Sequence, residues 1–421
     1  MSEDNRLRRD CVFCYRVDPT KVWTRGERTD LGLWMPKLKL FAAGFAVLML
    51  CGLVAPAEAT VAAVAAPTPV ATTPFAVSAN YTKYDALNTA LDAALPNVTV
   101  GTVMDNANLD RQSLCHTVPS AGSPVGFCWE SGDDTNCNNY PQGVTTSRDA
   151  TGGDYSGHQV VAASWYYTDT CADSSPTTRS RITLTDWDAD YPNKYRKILL
   201  VEPISTANGP SFRDVAIHAG GISWYGDYLY VADTSNGIRV FNMNKIWETD
   251  TTGTGVGLQT DGSYDAHQYR YVLPQTGMIT DVGSTQLTWS TVALDRAKPS
   301  LVMGEFKEAA GSRAVRFPLD STTHKLVSSS DGLVHATEAL SVPYVHVQGV
   351  VSHNGRWWFA SSGTSTLYYW APGGAASSYA WVSGCESLSY WEDATTADLL
   401  WTLREGEGAR NVFAVTQGSF S

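Results

Sequence analysis

The stretch His218-Ala-Gly-Gly-Ile-Ser-Trp-Tyr-Gly-Asp-Tyr-Leu-Tyr-Val-Ala-Asp-Thr-Ser-Asn-Gly-Ile-Arg-Val-Phe-Asn-Met243 decides the fold. It reads as strand, tight turn, strand, tight turn, strand. Gly226-Asp227 separates two β-prone runs, and Ser235-Asn236-Gly237 supplies the left-handed backbone of a second hairpin. A sheet this small cannot bury both faces alone, so it needs copies of itself alongside.

Those copies follow Pro141. The leading element recurs as Gln142-Gly-Val-Thr-Thr, Gly220-Gly-Ile-Ser-Trp, Ser290-Thr-Val-Ala-Leu, Gln348-Gly-Val-Val-Ser and Glu386-Ser-Leu-Ser-Tyr. A second element carries a small residue at its fourth position (Ala163, Ala232, Gly304, Ala360, Thr402), where a large side chain would collide with the next sheet. A third element includes Ile238-Arg-Val-Phe and Asn411-Val-Phe-Ala-Val. Repeated units of three or four antiparallel strands predict an all-β fold, a β-propeller. Five blades are clear, and the long early spacings leave room for a sixth or seventh, for instance around 269–273. A β-sandwich does not by itself account for a repeated three-element unit.

Before the repeats, Lys37-Leu-Lys39, the apolar run 40–54 and Ala57-Glu-Ala59 predict an export signal over 1–59, with Met35 as its natural start. Leu50 before Cys51 argues against a lipid anchor. Residues 60–80, rich in Ala, Pro, Thr and Val, read as a flexible linker, and 81–421 as the propeller domain with a disulfide-tied N-terminal region. An amphipathic helix is expected over 84–95, as the single helix, and a strand near Gly126-Phe-Cys-Trp129. In an oxidising compartment Cys115, Cys128, Cys137 and Cys171 predict two disulfides of open pairing, with Cys385 left over. A net charge of −12 disfavours nucleic acid and anionic membranes as partners. A secreted, extracellular monomer is the expectation.

In a propeller the leading strands line the channel, so Gln142, Gly220, Ser290, Gln348 and Glu386 form one ring. Tyr140, His218, Thr288, His346 and Gly384, two positions earlier, form another. His218 and His346 are the pair able to ligate a metal or act as acid and base, and Gln142, Gln348 and Glu386 complete the rim candidates. The ordinary role of such groups is to satisfy backbone and channel water. Asp186, Asp233, Glu305, Glu386 and Glu405 lie near strand ends without a spacing that marks a catalytic pair. Asp186-Trp-Asp188-Ala-Asp190 resembles a calcium loop, but Tyr191 replaces the glycine and Lys197 the closing glutamate. There is no G-x-S-x-G and no phosphate-binding loop. Trp357-Trp358 and Tyr368-Tyr-Trp370 read as blade core before binding face. No catalytic residue, cofactor or metal is assigned.

Residues 220–243, 299–319 and 348–370, with Leu399-Leu-Trp-Thr-Leu and Asn411-Val-Phe-Ala-Val, resemble a family of secreted actinobacterial β-propellers of the dispase autolysis-inducing type. The resemblance runs from about Tyr140 to the end. It implies seven blades and no known enzymatic chemistry. It also implies a protein that acts on a thermolysin-like metalloprotease, promoting its autolysis, and whose glutamines a secreted transglutaminase cross-links. Gln259, Gln268 and Gln275 sit in the polar, flexible context that cross-linking needs. The expected function is therefore a secreted, non-enzymatic propeller that binds an extracellular protein. The alternative is an exported carbohydrate-active or lactone-hydrolysing enzyme that uses the channel rim.

Overall fold

The computed structural model describes residues 62–168, 171, 178–189, 193–393 and 395–421. The expected export signal lies outside them. Each repeat gains an outer strand and becomes a blade. Blade I is Asn139–Thr146, Val160–Tyr167, Ser180–Asp186 and Lys194–Thr206, and blade II is Ile222–Tyr225, Tyr228–Asp233, Gly237–Asn242 and Tyr271–Asp281. Blade III is Thr291–Asp295, Ser300–Gly304, Ser312–Pro318 and Glu338–Val342. Blade IV is Val347–His353, Arg356–Ser361, Thr366–Trp370 and Ala376–Ala380. Blade V has Cys385–Trp391, Leu399–Arg404 and Asn411–Thr416, and takes its fourth strand, Val125–Cys128, from ahead of blade I. The described residues thus form a five-bladed propeller, where the resemblance implied seven. The stretch 269–273 is no extra blade. It opens Tyr271–Asp281, which pairs in parallel with blade I and then antiparallel with Gly237–Asn242, joining blades I and II.

Every blade-to-blade junction has its own apolar core, because a strand between two sheets buries both faces. In blade IV, Trp357 and Phe359 pack toward blade III with Val302 and Leu340, while Trp358 and Ala360 pack toward blade V with Leu388 and Leu400. The ring closes where Val144, Ala163 and Trp165 of blade I meet Trp401, Leu403 and Val412 of blade V. The aromatic run 357–358 is therefore core.

The segment ahead of blade I encircles the propeller. Ala62–Val64 adds to the edge of blade IV, Thr68–Pro69 to blade III and Ala76–Asn80 to blade II. Leu109–Asp110 pairs with blade I, and Gln112–Ser113 and Val125–Cys128 with blade V. The belt thus visits the blades in the reverse of their chain order. Residues 62–80, expected as a flexible linker, instead shield three sheet edges. Asp85–Asp92 (α1) fills part of the helix expected over 84–95 and buries Leu91 on the flank of blades I and II. It has company in Val100–Asp105 (α2), Ser131–Asp134 (α3) and Ser147–Thr151 (α4), which are too short for periodicity to reveal. The disulfides are Cys115–Cys128 and Cys137–Cys171, and Cys385 is free and buried. Among the described residues, no helix is long and apolar enough to cross a membrane.

The inner strands converge until backbones touch. A Cβ on Gly143 would lie 2.7 Å from Ile222 N, one on Gly221 2.4 Å from Val292 N, and one on Gly349 2.8 Å from the Ser387 carbonyl carbon. On the second element Ala232 stands opposite Gly221, Gly304 opposite Thr291 and Ala360 opposite Gly349, while the Thr402 hydroxyl bonds the Glu386 and Ser387 carbonyls: these are its small residues. In blade I that place belongs to Ser164 and not Ala163: its hydroxyl accepts from Gly143 N at 2.9 Å and donates to Ala219 O at 2.8 Å.

Below this constriction α4 plugs the channel. Asp149 Oδ2 accepts hydrogen bonds from Thr145 at 2.8 Å and Ser389 at 2.6 Å. Arg296 donates to the Asp149 carbonyl at 2.6 Å, and Gly226 N to that of Ala150 at 2.9 Å. The plug therefore ties blades I, II, III and V together. Burial raises the Asp149 carboxyl from 3.8 to about 6, against the opposing hydrogen bonds of Ser389 and Thr145.

Two outcomes follow from this packing. Gly221→Ala forces a methyl into the Val292 backbone and is expected to cost about 1–3 kcal/mol in denaturant unfolding. Because the folded-state pKa of Asp149 is raised, its neutral form stabilises the fold below about pH 4, and that contribution is lost as pH rises through about 6. Unfolding across pH 4–7 should show Asp149→Asn gaining on the wild type by up to ~3 kcal/mol over that window. A constant difference between the two proteins would contradict this role.

Candidate functional site

With the lower channel plugged, the convergent polar groups open at the other end, where the inner strands begin. Backbone bulges mark this level in blades I, IV and V. Three non-glycine residues there, Ala219, His346 and Ser387, hold φ of 56°, 52° and 56°. Such left-handed residues cost free energy and persist only where surrounding contacts impose them.

The predicted ring forms at this level. Gln142 of blade I donates from Nε2 to Glu405 Oε2 of blade V at 2.7 Å and to the Pro141 carbonyl at 3.0 Å. Gln142 and Ser290 are buried, and Glu386 is 1% exposed. Neither Glu386 oxygen has a partner in hydrogen-bond geometry, nor does Gln142 Oε1. Burial pushes the Glu386 carboxyl well above its usual range, and the neighbouring Glu405 charge pushes it further. The Gln348 amide opposes that shift but falls short of hydrogen-bond geometry. Glu405 is raised too, by burial, with Gln142 and Arg410 acting the other way. Burial and the Glu386 charge likewise hold the adjacent Cys385 thiol protonated.

Above this well a ladder of planar groups spans three blades. The buried Arg410 guanidinium lies 4.7 Å from the Tyr140 ring, Tyr140 stacks on Tyr166 at 5.7 Å, and Tyr166 meets His218 at 4.4 Å. The inner faces are thus used on one another. Tyr140 and Tyr166 are half-buried and His218 is exposed. The surrounding walls desolvate His218 and lower it to about 4, although its edge stays open to water, so it is neutral at neutral pH. Across the mouth His346 stacks on Phe306 at 5.8 Å. The two predicted histidines thus sit on separate aromatic supports. Among the described residues, His218, His346 and Glu386 do not gather as a metal-ligand group. The one such cluster, Cys115, His116 and Cys128, has its two sulfurs in a disulfide.

The remaining candidate carboxylates have structural partners. Asp233 accepts from Arg239 at 2.9 Å and Asn236 at 3.0 Å. Glu305 takes a bidentate grip from Arg313 at 2.6 and 2.7 Å. Asp186 accepts from Asp188 N at 2.8 Å, and Lys197, where a calcium loop needs glutamate, pairs with Asp133 at 2.8 Å. Asp190 lies outside the described residues. Gln275, expected exposed, is fully buried and accepts from Arg239 at 2.7 Å. Gln259 is half-buried and donates to the Val256 and Gly257 carbonyls, and Gln268 is exposed. Sequence reasoning missed Tyr166, Phe306 and Arg410. The available signal was that Tyr166 and Arg410 border apolar strands at the ends that the repeat places at the mouth.

No family model matches the chain, and no curated protein matches it. Among solved structures it is similar to the β-propeller domain of Cps50 (Swd1) from Myceliophteria thermophila, at 12% identity over 66% of this chain and 96% of that one, with a TM-score of 0.32. It is similar also to the tail fibre of Staphylococcus aureus phage P68, at 11% identity over 79% of this chain and 56% of that one, with a TM-score of 0.33. A third is the computationally designed Ika8 protein, at 8% identity over 73% of this chain and all of that one, with a TM-score of 0.27. The chain is an all-β propeller by its own five described blades.

Proposed function

We propose that this chain is a secreted, non-enzymatic binding propeller that holds an extracellular protein against its channel mouth. The observation that carries the reading is the half-exposed ladder Tyr140–Tyr166–His218, braced from behind by Arg410. Rigid aromatic side chains on a supported surface lose little entropy on contact and dominate binding energy at interfaces. Asp233 and Glu305, tied to arginines, are poorly placed for proton transfer, which weighs against the rim enzyme. The resemblance to the dispase autolysis-inducing protein points to a thermolysin-like metalloprotease as the partner, with autolysis promoted on binding. It also points to cross-linking by a transglutaminase, for which Gln268 offers the accessible side chain and Gln275 does not.

Surface-immobilised full-length protein should bind a thermolysin-like metalloprotease and shorten its survival. The double variant Tyr166→Ala/His218→Ala should bind at least tenfold more weakly while unfolding at a similar temperature. Wild-type protein that neither binds the protease nor alters its survival overturns the proposal. In a parallel reaction with a transglutaminase and a labelled amine, peptide mapping should find label on Gln268 and none on Gln275 while the protein is folded.

A further inference from the structure

We infer that the well beneath the mouth, built by Glu386, Gln142, Gln348 and Glu405, accepts a primary ammonium group, such as a lysine side chain of the bound partner. The inference rests on the mouth being the binding face. The argument starts from an imbalance of hydrogen-bonding capacity. Glu386 brings two oxygens and Gln142 one, all buried and none with a donor in hydrogen-bond geometry, the Gln348 amide approaching Glu386 without meeting it. Buried acceptors left this way cost free energy, and the deficit is met by a ligand rich in donors. An ammonium has three donors and no acceptor.

Charge selects the same ligand. The groups facing Glu386 are the Glu405 carboxylate, the Cys385 thiol and the Gln348 amide, and none of them is a cation. The Arg410 guanidinium stands beyond Glu405; its Nε serves the Glu405 carbonyl at 2.8 Å and its Nη1 the Asp133 carbonyl at 2.6 Å, while Nη2 has no hydrogen-bond partner. His218 is neutral. One positive charge brought through the mouth therefore meets two carboxyl groups with one remote counter-charge. The inner ring faces of the ladder are taken up by one another, and a slim alkyl stem passing the mouth needs no aromatic platform. Glu405 and Gln348 are half-buried and form the edge through which the group enters.

The chemistry is a proton exchange without bond-making at carbon. The ammonium arrives protonated, the Glu386 carboxylic acid loses its proton to solvent, and the resulting carboxylate accepts from the ligand. Binding should release up to one proton per ammonium and tighten as pH rises.

The probe is methylammonium, titrated calorimetrically into the full-length protein at pH 6, 7 and 8 in two buffers of different ionisation enthalpy. Expected are saturable binding, proton release in wild-type protein and stronger binding at pH 8. Glu386→Gln should weaken binding at least tenfold and abolish the proton release, whereas Glu407→Gln, at an exposed site, should change neither. Absence of saturable binding, binding without proton release, or preference for calcium over methylammonium each overturns the inference. Should the protease bind while methylammonium does not, this inference falls and the binding function stands. Should methylammonium bind while the protease does not, the well is real and the proposed partner is wrong.

Discussion

The ring depends on a strand that arrives early in the chain and is used at its end. Blade V has three strands of its own, and Val125–Cys128 supplies the fourth. That strand is held covalently by Cys115–Cys128, a short loop whose constraint is worth ~3 kcal/mol. It is held electrostatically just downstream by α3. There Asp133 meets Arg181 and Lys197, both at 2.8 Å, and Tyr195, while its carbonyl accepts from Arg410 of blade V at 2.6 Å. Asp134 accepts from Arg410 N at 2.9 Å. One helical turn thus fastens the first blade to the last. The belt leading to it pairs with every other blade on the way, so the sheet edges and the closing seam are secured by the same segment.

A second constraint follows from having five sheets around one axis. Inner strands meet closely, and the position after each ring residue must be small: Gly143, Gly221, Thr291, Gly349, Ser387. Close approach narrows the axis, and α4 fills what lies below. A ligand therefore meets the protein from one side, where side chains from several blades end together. The position of the site is thus a consequence of blade number.

The blades were legible because each strand is buried on both faces and the repeat imposes the same small residue in the same place. Five leading elements were legible as well, because each inner strand must reach the axis, but the long early spacings left a sixth or seventh blade open until Tyr271–Asp281 was seen to join blades I and II. The belt was not. Its strands at 62–64 and 68–69 are too short for alternation to show, and their Ala/Pro/Thr/Val composition matches a linker until an edge is there to receive them. The ring Gln142–Ser290–Gln348–Glu386 could be read from register alone, since residues at one level of the repeat share one level of the channel. The company kept by His218 and His346 could not be read. Their rings stack on Tyr166 and Phe306, which come from a neighbouring strand and a loop with no fixed offset in sequence.

The buried carboxylates separate structure from site more sharply than position does. Asp133 is buried, which alone would raise its pKa, yet Arg181 and Lys197 overcome that penalty and hold it below the usual range. Asp149 has hydroxyl partners and a more distant arginine, and it settles near 6. Glu386 has burial, a like charge beside it and no hydrogen bond of good geometry, and it is pushed well above the usual carboxylate range. Partner supply, and not depth, orders the three. A fold able to give Asp133 two cations on one oxygen and a tyrosine hydroxyl on the other does not lack the means to satisfy Glu386 at the axis. Leaving it without a hydrogen bond of good geometry keeps acceptor capacity beneath the channel mouth. The same residue type accordingly serves as a fastener in the seam and as an open acceptor in the mouth.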